Sequence, residues 1–118
     1  MADATLAEMR NRVLEKLFVL VAGETAQTED AVTVEKVIVS TNEELRENEL
    51  CYWSDSATPQ YLVEHLAAYY ACFLANDYMS AQEANAFRQD HFGFSLAKIR
   101  ELTAGKKRIA EPTRGTYF

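Results

Sequence analysis

Apolar side chains recur at helical spacing along most of the chain, and they are densest between residues 58 and 78, TPQYLVEHLAAYYACFLANDY. Thr58 is placed to cap the first free backbone N–H groups, and Pro59 fits a first helical turn. The interior of this stretch (Tyr61, Leu62, Leu66, Ala67, Ala68, Tyr69, Tyr70, Cys72, Phe73, Leu74) is apolar on almost every side. That pattern predicts a buried helix wrapped by the rest of the chain. At about 1.5–3 kcal/mol per buried large side chain, it supplies a large share of the folding drive.

Three further helices are expected around it. The first starts at Thr5, where Thr5 and Glu8 make a capping-box pattern, and Leu6, Met9, Val13, Leu17 and Val21 keep helical spacing until Gly23. Arg10, Arg12, Glu15 and Lys16 take its other face, and the run LFVLV at 17–21 also fits a strand. After the polar loop AGETAQT, a second helix from about Glu29 to Asn48 carries Val34, Val37, Ile38, Thr41 and Leu45 on one stripe. Residues 32–39 fit a strand as well, but the stripe continues to Leu45 at period 3.6 and favours helix. Ser80 and Glu83 form a second capping box. They open a helix with Ala84, Phe87, His91, Phe94, Ile99 and Leu102 along one side. Gly93 inside it predicts a bend or a close helix contact, and Gly105 is expected to end it.

The expectation is an all-α fold, a bundle of about four helices over residues 1–103 with an extended C-terminal arm over 104–118. At 118 residues, 48% hydrophobic and 25% charged, the composition is that of one soluble domain. No apolar run is long enough for a membrane span. MADATLAEMRNR lacks the layout of a signal peptide, so a cytoplasmic origin is expected. Two cysteines, Cys51 and Cys72, make no disulfide framework and read as buried thiols.

Charge alters the picture more than composition does. The net charge of −6 argues against general nucleic-acid binding. Residues 1–57 carry a net of −7, whereas 104–118 hold Lys106, Lys107, Arg108 and Arg114 against Glu111 alone. An acidic body with a basic tail is a polarity that can pair one molecule with a neighbour.

Candidate chemistry is sparse. His65 and His91 stand on separate helices without HExxH, HxxxH or CxxC spacing, and each reads as a packing residue. There is no GxSxG, no GxxxxGK[ST] and no GxGxxG, and no His lies within a few residues of either cysteine. Carboxylates such as Glu43, Glu44, Glu47 and Glu49 read as a solvated helix face. No cofactor is expected. Two features ask for more. Tyr52 and Trp53 stand in a connection, where large aromatics are either a lid on the core or an interface anchor. The tail KKRIAEPTRGTYF combines cations with Ile109, Pro112, Tyr117 and Phe118. It suits either a disordered terminus or an extended arm that inserts into a groove on another protein.

In its order of features the chain resembles the head–tail adaptor family of short-tailed bacteriophages, the head-completion or packaged-DNA-stabilising proteins. The resemblance covers about Val13 to Phe118 and rests on layout rather than a strict signature. It is carried by VLEKLFVLVAGET, the aromatic island before WSDSATP, LAAYYACFLANDY, the helix AQEANAFRQDHFGFSLAKIREL with its internal glycine, and the irregular tail. Members often have a proline where this chain has Ala75-Asn76-Asp77, and many have a longer tail.

The resemblance implies a helical virion protein, not an enzyme, that forms a ring of about twelve copies under the portal. Such a ring extends the DNA channel at the head–tail junction, helps retain the genome and offers a platform to a tail nozzle or hub protein. Packaged DNA would pass without sequence-specific binding, and an acidic body suits a channel lining. The portal-binding arm would be Lys106, Lys107, Arg108, Ile109, Arg114, Tyr117 and Phe118. Tyr52, Trp53, Tyr69 and Tyr70 are the subunit-interface candidates, the tyrosine hydroxyls needing partners that a neighbour could supply. Alternatives are an adaptor of a long-tailed phage, a small peptidoglycan hydrolase associated with the tail, which would need a converging Glu/Asp pair in a cleft, and a cytoplasmic helical binding protein.

Overall fold

The computed structural model describes residues 3–20 and 27–110, the last six of these by their backbone alone. They form four α-helices, α1 (Leu6–Lys16), α2 (Thr28–Glu47), α3 (Val63–Tyr78) and α4 (Ala81–Ala110), with a 3-10 turn at Gln60–Leu62 leading into α3. The fold is all-α. Among the described residues β pairing is confined to two isolated bridges, Ala4 with Thr58 and Ser54 with Ala57.

The capping box at the start of α1 forms as expected. Thr5 N–H donates to the Glu8 carboxylate at 2.9 Å, and Glu8 N–H donates to the Thr5 hydroxyl at 3.1 Å. The helix then stops at Lys16, earlier than the apolar spacing through Val21 predicts. Phe18 takes a left-handed conformation with φ 63°. Its N–H reaches the Glu15 carbonyl at 3.1 Å, and the Val19 N–H reaches the Leu14 carbonyl at 3.0 Å. This pair of bonds is a Schellman closure, usually built on glycine. Leu17 and Leu20 remain buried after it. Val21 and the expected terminator Gly23 lie outside the described residues.

Helix α2 ends the same way. Glu49 has φ 61°, its N–H bonds the Arg46 carbonyl at 3.0 Å, and the Leu50 N–H bonds the Leu45 carbonyl at 2.8 Å. Along α2, Val34, Ile38, Thr41 and Leu45 are buried and Val37 packs partly against the core. The 3.6 period therefore wins over the strand reading of residues 32–39.

Helix α3 is the axis of the bundle and touches each of the other three helices. Its entry differs from expectation. Thr58 does not cap it: the backbone of Thr58 pairs both ways with Ala4, at 2.7 and 2.9 Å, and its hydroxyl is buried without a hydrogen-bond partner among the described residues. Backbone pairing to the chain start holds Thr58 in place, and the helix begins instead through Pro59 and the 3-10 turn. Ten residues of α3 are buried, yet Tyr61 and Phe73 face solvent, so burial is not all-round.

Ser80 and Glu83 cap α4 reciprocally, both bonds at 3.2 Å. Ala84 and Ile99 are buried, Phe87 and Leu102 lie partly against the core, and Phe94 is 59% exposed. Phe94 thus leaves the apolar side on which the sequence places it. Gly93 makes no close helix contact either, since a Cβ there would meet nothing within 4 Å. The helix continues without a break through Gly105 to Ala110. Lys106, Lys107 and Arg108 are good helix formers, and cations are favoured near a helix C-terminus, which offsets about 1 kcal/mol for one glycine. The expected boundary at 104 therefore falls inside a helix, and 104–110 are helical rather than extended. Residues 111–118 of the expected arm lie outside the described residues.

Candidate functional site

The connection between α2 and α3 is held by a buried polar network. Asn42, fully buried on α2, donates from its side chain to Asp55 at 2.9 Å and accepts from the Tyr70 hydroxyl of α3. Arg46 donates to Asp55 at 2.9 Å and to the Trp53 carbonyl at 3.0 Å, and the same carbonyl accepts from the Cys51 thiol at 3.4 Å. Burial pushes the Tyr70 hydroxyl well above its usual range and the Cys51 thiol upward, and the bond to Asp55 holds Arg46 more firmly protonated. Tyr70, Cys51 and Arg46 are each favoured in their protonated forms. The network positions a loop rather than performing proton transfer.

That loop sorts the four interface candidates. Trp53, Tyr69 and Tyr70 are buried within the subunit, so a surface contact through them would require the fold to open. Trp53 belongs to the core cluster. Tyr52 alone is accessible, 46% exposed, edge-on to Trp53 at 5.3 Å and hydrogen-bonded to the Tyr61 hydroxyl. The tyrosine hydroxyls also find partners inside the chain: Tyr70 on Asn42, Tyr78 on Asp30 at 3.0 Å, and Tyr61 on Tyr52. A neighbouring subunit is not needed for these three.

A different surface stands out. On α3 and α4, Tyr69 stacks on Phe92 at 5.3 Å, Phe73 meets Tyr69 and Phe92 edge-on at 5.2 and 5.9 Å, and Phe94 lies against His65 at 6.3 Å. Lys98 sits over the Phe94 ring at 5.9 Å. Phe73, Phe92 and Phe94 are all exposed, in two ring groups that both bridge α3 and α4. The sequence signals for it were weak. Phe73 sits in a helix read as apolar on almost every side, and Phe94 is placed by its spacing on the apolar side of α4.

A third feature is a groove of about 410 Å³ between the end of α1 and the start of α4. Leu17, Phe18 and Val19 form one wall and Tyr78, Phe87 and His91 the other. Phe18, held in its left-handed conformation, is 87% exposed.

Each histidine ring lies against a phenylalanine, His65 on Phe94 and His91 on Phe87 at 4.4 Å. Both cysteines are buried free thiols, with Cys72 pushed up to about 11 by burial. Among the described residues no three His, Cys, Asp or Glu side chains converge as a metal site, and no helix is long and apolar enough to cross a membrane. Of the arm candidates, Lys106, Lys107, Arg108 and Ile109 occupy the last turns of the α4 backbone, while Arg114, Tyr117 and Phe118 lie outside the described residues. Compared with protein-family models, curated proteins and solved structures, the chain shows no match.

Proposed function

We propose that this chain is a virion structural protein, a head–tail connector of a short-tailed bacteriophage. It docks under the portal, forms a ring that extends the DNA channel, helps retain the packaged genome and offers the tail its attachment platform. The reading rests on the order of sequence features it shares with that family. One structural observation supports it beyond the others. Helix α4, with 30 residues, is about 45 Å long, against about 24 Å for the 16 residues of α3. Since Phe92 is level with Tyr69, α4 outruns the start of α3 and carries positions 106–110 away from the bundle. The basic end of the chain is thereby delivered on a rod, which is the form a docking element needs.

The mechanism is assembly without bond chemistry. Cations at 106–108 and at Arg114 steer the segment, and Ile109, Tyr117 and Phe118 anchor it in a groove of the portal. Each contact can be weak, because a ring engages many at once and effective concentration multiplies them. The test is capture of the full chain by the portal protein of the same phage, compared with chains lacking 111–118 or 104–118. Both truncations should lose docking, the shorter one keeping the full helical circular dichroism signal. A truncated chain that still docks overturns the assignment of the arm.

A further inference from the structure

We propose that Tyr52 and Tyr61 form an oxidative cross-linking site, at which a peroxide-class oxidant joins the two rings as dityrosine and fastens the α2–α3 connection to the entry of α3. The two residues belong to different local structures. Tyr52 stands in the irregular connection after α2, and Tyr61 in the 3-10 turn that leads into α3. Their hydroxyls nevertheless meet in a hydrogen bond across nine positions of sequence. Each tyrosine has a buried neighbour that fixes its backbone. Trp53 is in the core, lies edge-on to the Tyr52 ring at 5.3 Å, and has its carbonyl bonded by Arg46 and Cys51. Leu62, next to Tyr61, is fully buried. The pair thus sits on a fixed base while both rings stay open to solvent, 46% and 40% exposed. The other described tyrosines lack this combination. Tyr69 and Tyr70 are buried, and Tyr78 is bonded to Asp30 rather than to a second phenol.

A phenol that gives up one electron and its proton becomes a phenoxyl radical, and the unpaired electron is shared with the ring carbons ortho to oxygen. Contact between the hydroxyls sets the ortho edges of the two rings beside each other. Two one-electron oxidations, one of each phenol, leave two radicals that combine in a carbon–carbon bond between ortho carbons. Each bonded carbon then sheds its hydrogen as a proton while its oxygen takes one up, which restores both phenols. In all the chain loses two electrons and two protons, and the electrons go to the peroxide as its O–O bond breaks. The product closes the loop from Tyr52 to Tyr61 covalently. It restricts the unfolded chain as a disulfide does, and so stabilises the fold. The inference makes no use of the connector reading.

Persulfate with a light-activated ruthenium tris-bipyridyl sensitiser, which oxidises by single electrons and also works in urea, tests it on the dilute full chain. The native protein should give a monomer with blue dityrosine fluorescence. Cleavage before each aspartate places Tyr52 in fragment 30–54 and Tyr61 in fragment 55–76. After oxidation these fragments should remain joined, with the mass of their sum less two hydrogens. Tyr52→Phe and Tyr61→Phe, both at exposed positions and checked for folding by circular dichroism, should each lose the link and the monomer fluorescence. The yield should fall several-fold in urea, where the fold no longer brings the rings together, and the linked chain should melt at a higher temperature. Dityrosine found only in covalent dimers, monomer fluorescence that persists in either variant, a yield unchanged by urea, or a linked chain that melts no higher overturns the inference.

Discussion

The Thr58 hydroxyl is fully buried and without a hydrogen-bond partner among the described residues, at the point where the chain start meets the entry to α3. An unpaired buried hydroxyl costs about 1–3 kcal/mol, and an apolar group of the same shape removes that cost. Thr58→Val should therefore raise the unfolding free energy by about 1 kcal/mol, measured by denaturant titration. A loss would mean that the hydroxyl is bonded in solution. Tyrosines give a second residue-level prediction. Tyr78 is pushed up to about 12, first by burial and then by its bond to Asp30, and Tyr70 and Tyr52 are raised mainly by burial. The folded state thus favours the neutral phenol. Below the ordinary tyrosine value of about 10 folded and unfolded chains bind the same protons. As pH rises from there, the unfolded chain ionises first and stability falls. Unfolding free energy should decline steeply above pH 10, and Tyr78→Phe should make the decline shallower; an unchanged slope in that variant contradicts the assignment.

At the scale of elements, what the sequence announced depended on whether a signal was local. Both capping boxes were legible because they need only two residues at fixed spacing, and the α2 stripe was legible because its period outlasts the ambiguous valines. Helix ends were not. Both α1 and α2 close through left-handed residues that are not glycine, Phe18 and Glu49, while Gly105, which looks like a terminator, is passed over. Phe18→Gly should stabilise the subunit by about 1 kcal/mol, since a left-handed L-residue costs about 1–2 kcal/mol and the ring is nearly fully exposed. Lower stability in that variant would show that the ring packs within the chain. Gly93→Ala should add about 1 kcal/mol as well, because the position is helical and open, raising the melting temperature by about 4 °C. No gain there would mean that the glycine serves a contact outside the subunit.

For the whole molecule, the all-α bundle around α3 followed from the apolar density of residues 58–78, but its surface did not. Burial of Trp53, Tyr69 and Tyr70 depends on which helices cross which, information that a single helical wheel lacks. The same holds for the exposure of Phe73, Phe92 and Phe94. Charge at least was readable from the start: an acidic α2 and a basic α4 end are segregated in sequence and lie on separate helices. The central claim is that the chain joins a portal through its C-terminal end. Electron microscopy of purified portal mixed with the full chain tests it most directly. The account predicts a ring of added density on the tail-facing side of the portal, missing when residues 111–118 are deleted; a bare portal beside folded, unbound chain would contradict it.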